Sequence, residues 1–389
     1  MNLESIRRQT PICTELLHFN NAGASLQAIP VQNAILEHLA LEQTSGGYEA
    51  AAAANLALEN YYQQFAKLLN CHPAEIAWAD SASHAWNTLI HAIDFKPGDK
   101  VLTGQNEYAS NVLMFLHLQK RLNIEVQIIP NDSTGAICLE ALERAIDKRV
   151  KLISLTHIAS HNGTIQPAAQ VGDIANRHGV FFILDACQSV GQLHLDVDAI
   201  GCHMLTGTGR KYLRGPRGTG FLYINQNIMT QLTPSSIDLH SAKWTDEKSY
   251  VLRADARRFE SFEHFVAGKL GLTEAVEYAL SIGTIAIEER NIRLGRKLRQ
   301  TLSEIDGVTV HDQGSELGAI VSFSSAKESA PALHQRLQER QINTSIIKAE
   351  NCRIDSSTQG LGNRNRASIH YYNTEEEIAI FCAAVAEGP

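Results

Sequence analysis

The chain offers few of the short signatures by which binding sites are usually found. Its seven cysteines, Cys13, Cys71, Cys138, Cys187, Cys202, Cys352 and Cys382, are odd in number and scattered. No Cys-x-x-Cys pair occurs, so neither a disulfide framework nor a zinc site is signalled, and reduced thiols are expected. Long apolar runs are missing too. Val180 to Leu184 falls far short of a membrane span, and Met1 to Thr10 is too polar for a secretory leader. A cytoplasmic location without membrane attachment is the resulting expectation. Basic excess is also absent. Lys and Arg total 34 against 42 Asp and Glu, a formal net charge of −8, which argues against nucleic-acid binding through bulk charge. The Gly207-Thr208-Gly209 run would need a glycine at 212 to complete a dinucleotide fingerprint, and Tyr212 stands there. Gly268-Lys269 lacks the upstream glycine and the following Ser or Thr of a phosphate loop. His157 and His161 flank a strand end and an Asn162-Gly163 turn, where their spacing does not bring both rings to one face. No metal is expected.

What is present is a chain of 389 residues, 44% of them hydrophobic, long enough for two domains and a large core. Helix-period and strand-like segments alternate, which is the α/β signature. Helices are predicted over Val31 to Leu41, Leu56 to Leu69, Ser83 to Ile93, Asn111 to Arg121, Leu139 to Asp147 and Pro167 to His178. Strands are predicted over Lys100 to Thr103, Ile124 to Ile129, Lys151 to Thr156, Phe181 to Leu184, His203 to Thr206 and Phe221 to Ile224. The Ala50 to Ala54 run reads as the N-terminal turn of a helix. Such β-α-β succession predicts a mostly parallel sheet between helices, with ligands at the carboxyl ends of its strands. Asn225 to Phe262 is polar and turn-rich, an excursion from the sheet. Leu270 to Arg299 is a long helical stretch, bent near Gly283, leading into a smaller α/β domain. That domain has strands at Val308 to Val310, Gly318 to Phe323, Ile342 to Ile347 and Ala367 to His370, and a helix at Ala330 to Arg340. The predicted division is a large domain over 16–265, with 1–15 and 266–389 in the small one.

Chemistry concentrates in two places. Asp185 ends the apolar strand Phe181-Phe182-Ile183-Leu184, where a lone buried acid is costly and a cationic partner is implied. Lys211 follows 26 residues later (211 − 185), inside a segment rich in glycine and arginine, with room for one strand between them. A reactive lysine and a strand-end acid are the two side chains a pyridoxal phosphate (PLP) enzyme needs most. The lysine amine would take the cofactor aldehyde and later serve as base at a substrate Cα, while the acid would hold the pyridine nitrogen protonated. Gln188 is placed to donate to the ring hydroxyl. Ser83 and His84 would offer backbone N–H groups to a phosphate at a helix start, with Thr208 and Arg210 closing the other side. Tyr108 is the candidate to lie flat over the ring.

These residues carry a family resemblance. Leu184-Asp185-Ala186-Cys187-Gln188-Ser189, Thr208-Gly209-Arg210-Lys211, Arg214-Gly215-Pro216-Arg217-Gly218-Thr219-Gly220 and Arg366-Ala367-Ser368-Ile369-His370-Tyr371-Tyr372-Asn373-Thr374 together resemble the class V aminotransferase family of fold-type I PLP enzymes. Cysteine desulfurases, cysteine C–S lyases and amino-acid epimerases are among its members. The resemblance runs from Asn20 to Thr374. It implies that Lys211 is the Schiff-base lysine, Asp185 the pyridine partner, Gln188 the ring-hydroxyl contact and Tyr108 the stacking residue. Ser83, Thr208 and Arg210 would then hold phosphate. Arg366 would grip the substrate carboxylate in a bidentate pair, with Asn21 and Ala22 beside the substrate. A homodimer with active sites at its interface is also implied. Two departures stand out: many desulfurases and lyases carry histidine where this chain has Arg210 and Tyr108.

The expected reaction is removal of a Cα proton from an amino acid and β-elimination of a sulfur leaving group, from a cysteine derivative or its sulfoxide. A cysteine desulfurase using Cys352 as nucleophile is the first alternative. Cys352 lies 14 residues before Arg366 (366 − 352), but Arg353-Ile354-Asp355 does not read as a glycine-rich catalytic loop. Transamination and epimerisation are further alternatives. From a different class comes a non-catalytic anion- or RNA-binding protein, with Arg210, Lys211, Arg214 and Arg217 as a surface patch.

Overall fold

In the computed structural model, which describes residues 1–388, the alternation resolves into a seven-stranded sheet. Its strands are β1 (Ile76–Ala79), β2 (Lys100–Gly104), β3 (Glu125–Ile129), β4 (Val150–Thr156), β5 (Phe181–Asp185), β6 (Met204–Thr208) and β7 (Gly220–Ile224). Their order across the sheet is β1-β7-β6-β5-β4-β2-β3. Pairing from β6 through to β3 is parallel, and β7 runs antiparallel to both of its neighbours.

Six helices of this part are α1 (Ile29–Ser45), α2 (Asn55–Leu69), α3 (Ala82–Ala92), α4 (Ala109–Leu122), α5 (Leu139–Ala145) and α6 (Ala168–His178). Side-chain alternation divides the strands between two apolar clusters. Phe182, Leu184 and Leu205 join α2 and α6 on one face, while Ile183, Met204 and Leu222 join α3 and α4 on the other. Both faces being covered explains why the central strands read as continuous apolar runs rather than as alternating ones. It also explains why β1, four buried residues long, was not anticipated. Two helix starts differ from expectation. Ser81, not Ser83, caps α3, its Oγ accepting from the His84 N–H at 3.2 Å. The alanine run forms a separate helix, Gly47–Ala53, because Gly46 at φ +95° ends α1 and turns the chain before it.

In the C-terminal part, α7 (Val266–Ile282) and α8 (Thr284–Ser303) meet at an 81° bend. The bend falls at Gly283, as expected, where φ is +96°. Beyond it lies an antiparallel sheet of β8 (Val308–Val310), β9 (Ile320–Ser325), β10 (Ser345–Ile347) and β11 (Arg364–Ser368), in the order β8-β9-β11-β10. Helices α9 (Ala330–Glu339), α10 (Arg353–Gln359) and α11 (Glu375–Ala386) accompany it. The strand expected over Ile342 to Ile347 divides at Thr344. Ile342–Asn343 pairs in parallel with Leu17–His18, and the remainder pairs with β11. The last strand lies earlier than expected, so His370 falls beyond it. No single helix is long and apolar enough to cross a membrane.

Candidate active site

The carboxyl ends of β4, β5 and β6, the turn after β2 and the start of α3 converge on a cavity of about 240 Å³. Lys211 enters it from a tight loop, closed by bonds from Gly215 N to Gly209 O (2.8 Å) and from Arg214 N to Lys211 O (2.9 Å). Arg214 holds that loop down with its backbone at φ +60° and its guanidinium fully buried. Its Nε donates to Leu26 O at 2.7 Å and its Nη1 to Tyr371 Oη at 2.9 Å. The faces of Tyr278, Tyr371 and Tyr372 lie 4.7–5.6 Å away, so the charge is held by π-faces and oxygens. With the loop anchored, Lys211 Nζ is left without a hydrogen-bond partner, 5.8 Å from the centre of the Tyr108 ring. Burial pushes its ammonium below the usual lysine range. Cys187 and Asp185 oppose that shift, and Arg210 and Arg366 add to it.

Asp185 sits at the end of β5, 4% exposed, without an ion-pair partner among the described residues. Its Oδ1 accepts from Cys187 N at 2.9 Å and its Oδ2 from Asn111 Nδ2 at 3.0 Å. Gln188 departs from expectation in one respect. Its Nε2 already donates to Ala22 O at 3.0 Å, so the open end of its amide is the carbonyl, whose buried oxygen has no partner.

Across the cavity the first N–H groups of α3, on Ala82 and Ser83, have no acceptor within the chain, and both residues line the wall. Gly220 makes this possible: a Cβ there would come within 2.9 Å of the Ser81 carbonyl carbon. Thr208 and Arg210 face these groups, joined by Arg210 Nη1 to Thr208 Oγ1 at 3.2 Å, with Arg217 at the rim. The donor set suits a dianion such as phosphate.

Several predicted residues are placed elsewhere. His84 spends its N–H on Ser81, and its exposed imidazole pairs with Asp80 at 2.9 Å outside the cavity wall. Asn21 is wholly committed to the fold: its amide donates to His18 O and Ser368 O and its oxygen accepts from Tyr372 Oη. Ala22 contributes only its carbonyl, which orients Gln188. Arg366 lies just behind the wall, its Nη1 on Ser160 O (3.0 Å) and Nη2 on Asn20 Oδ1 (3.2 Å), with Nε unpartnered. Cys352 is turned toward α10. Its Sγ lies 3.1 Å from Ser356 Oγ and 3.6 Å from Lys348 O, and it does not line the cavity. The basic segment is not a surface patch, because Lys211 and Arg214 are buried. The sequence reading passed over Cys187, which lines the wall two residues after Asp185. Burial, then Asp185, raises its thiol far above the usual range. It also passed over Asn111, 74 residues from the carboxylate it orients.

Residues 17–381 match the aminotransferase class-V family, and the chain belongs to it. A probable cysteine desulfurase of Methanothermobacter thermautotrophicus is 28% identical over 394 residues, covering 100% of this chain and 98% of the relative. The apo structure of a cysteine desulfurase from Thermococcus onnurineus NA1 superposes with a TM-score of 0.92 at 25% identity, over 99% of this chain and 97% of the other. A cystine C-S lyase, C-DES, solved with its product cysteine persulfide, shares the fold at a TM-score of 0.89 and 22% identity, over 98% and 100%.

Proposed function

We propose that this chain is a PLP-dependent enzyme that removes the Cα proton of cysteine or a cysteine derivative and releases the β-sulfur by elimination. The open groups of the site fit the cofactor. A buried carboxylate without a cation suits a protonated pyridine nitrogen, an unpartnered lysine amine suits an aldehyde, and the α3 N-terminus with Thr208 and Arg210 suits a phosphate. When bound, PLP supplies an electrophilic carbon for the amino group and a ring that accepts the electron pair left at Cα.

The protein's own groups do the rest. Lys211 Nζ, deprotonated more readily because of its burial, would hold the cofactor through its aldehyde and would be the group placed to take the Cα proton. Asp185 keeps a proton on the ring nitrogen. Tyr108, on the cavity wall, would pack against the ring, and Arg366 would offer its guanidinium to the substrate carboxylate on displacement of Ser160 O. By this reading Ser83 supplies its N–H and hydroxyl to the phosphate.

The observation that carries elimination over desulfuration is the placement of the thiols. A desulfurase needs a cysteine thiolate at the substrate sulfur. Cys352 is engaged with Ser356 and Lys348, and Cys187, in the cavity, is held protonated. Desulfuration through Cys352 remains the second reading, favoured by the desulfurase names of the relatives. Incubation with L-cysteine separates the two. Elimination gives pyruvate, ammonia and sulfide, unaffected by Cys352→Ala; alanine as the product, lost in that variant, would establish the second reading. Lys211→Ala is expected to remove the visible absorbance of the PLP-loaded protein.

We also infer a homodimer. The hairpin of Ala242–Asp246 and Ser249–Leu252 presents Trp244 and Tyr250, paired across it, to solvent at 69% and 56% exposure, an apolar surface suited to a second copy. Light scattering on the purified protein measures it.

A further inference from the structure

Between the two cavity residues Asn106 and Tyr108, Glu107 turns the opposite way, into the protein. Five donors meet its carboxylate. Oε2 accepts from Thr103 Oγ1 at 2.7 Å and Ser154 Oγ at 2.6 Å; Oε1 accepts from Tyr108 N at 2.8 Å, Asn111 Nδ2 at 2.9 Å and Thr156 Oγ1. Glu107 is 5% exposed and has no ion-pair partner among the described residues. Two N–H groups on Oε1 and three hydroxyls thus converge on one buried carboxyl, which is fixed by hydrogen bonds alone.

So many partners on one buried side chain fix its orientation. Asn111 shows where it is directed. The same Nδ2 that donates to Glu107 donates to Asp185 Oδ2 at 3.0 Å, so one amide, both its hydrogens engaged, joins two buried carboxylates. The other Asp185 oxygen is fixed by Cys187 N. Meanwhile the Tyr108 N–H is shared by Glu107 and by Thr156 Oγ1 at 3.2 Å.

We propose that Glu107 is a positioning residue for the cofactor ring: through Asn111 it orients the Asp185 carboxylate that would keep the ring nitrogen protonated. The inference rests on the PLP reading above and assigns a role to a group that touches neither cofactor nor substrate. Glu107→Gln can keep its oxygen on Tyr108 N and Asn111 Nδ2 and turn its NH₂ to the Thr103 and Ser154 hydroxyls, whereas Glu107→Ala removes the acceptor altogether.

The test is made on full-length wild type, Glu107→Ala, Asn111→Ser and the double variant. Each is stripped of cofactor, checked by circular dichroism and titrated with PLP, and the ring protonation of bound ¹⁵N-labelled PLP is read by NMR. Each single change is expected to weaken PLP binding about tenfold and to lower the protonated fraction of the ring nitrogen. The double variant is expected to be no weaker than about tenfold, because the two residues act as one unit. Losses that multiply to about a hundredfold, or a ring as protonated in both single variants as in wild type, would overturn the proposal. Asn111→Ser carries the test should Glu107→Ala not fold. A wild-type protein that takes up no PLP would instead overturn the reading on which the proposal rests.

Discussion

His157 offers a measurement of the structure that needs neither cofactor nor substrate. It follows Thr156 at the end of β4, and its backbone bonds Asp185 O on one side and Gln166 N on the other, so it lies on the reverse of the cavity wall. Its imidazole is 7% exposed and Nδ1 has no partner. Burial lowers its pKa from 6.5 to about 4. The folded chain therefore binds fewer protons at this site than the unfolded chain between these values. Stability is lost as pH falls through that window, and the full penalty is present below about 4. A gap of 2.5 units at 1.36 kcal/mol each amounts to about 3 kcal/mol. Five other histidines, His18, His203, His264, His311 and His370, are shifted the same way, so the difference between two proteins is the quantity to read. His157→Phe keeps a ring in the site and removes the titration. Urea unfolding of both apo proteins is expected to show the variant gaining about 2 to 3 kcal/mol relative to wild type between pH 7.5 and pH 4.5. A difference that stays constant over that range would refute the assignment of a buried neutral imidazole.

Other outcomes follow from particular contacts. Arg214→Lys replaces the fork that reaches Leu26 O, Tyr371 Oη and Thr10 Oγ1 by a single ammonium and is expected to cost about 3 kcal/mol or more in urea unfolding, with loss of PLP affinity as Lys211 is released. Gly172→Ala would place a Cβ 1.9 Å from Ile200 O, where α6 crosses the short helix Val197–Ile200. A loss of about 1 to 3 kcal/mol is expected by thermal unfolding, and a change under about 0.5 would contradict the close approach. Arg366→Lys keeps the charge but not the planar fork, so KM for cysteine is expected to rise about tenfold or more in steady-state assays with little change in kcat.

Much of the sheet was legible because the strands between Lys100 and Ile224 are apolar runs bounded by polar turns, and the interleaved helices carry a clear period. The same logic brought Asp185, Lys211, Thr208 and Gln188 to one cavity, since each follows or ends a parallel strand. What failed was decided by contacts between distant residues. Ile342 to Ile347 reads as one strand by pattern, yet its halves find partners at Leu17–His18 and β11, on opposite sides of Thr344. Asn21 looked available for substrate until Tyr372, 351 residues away, claimed its oxygen. His84 was displaced by a two-residue error in a helix cap. Glu107 was visible only as an acid before a tyrosine, because the hydroxyls that hold it come from two separate strands.

The arginine that clamps the lysine loop gives the chain's extremities an unexpected share in its chemistry. Thr10 and Leu26 grip that guanidinium from one end of the polypeptide and Tyr371 from the other, while Arg7 donates to Glu377 at 2.6 Å. Trimming the opening dozen residues, or fusing a tag that disturbs them, would loosen the support beneath the reactive amine without altering any residue in the pocket. A protein purified that way would be pale for a reason remote from its cofactor site.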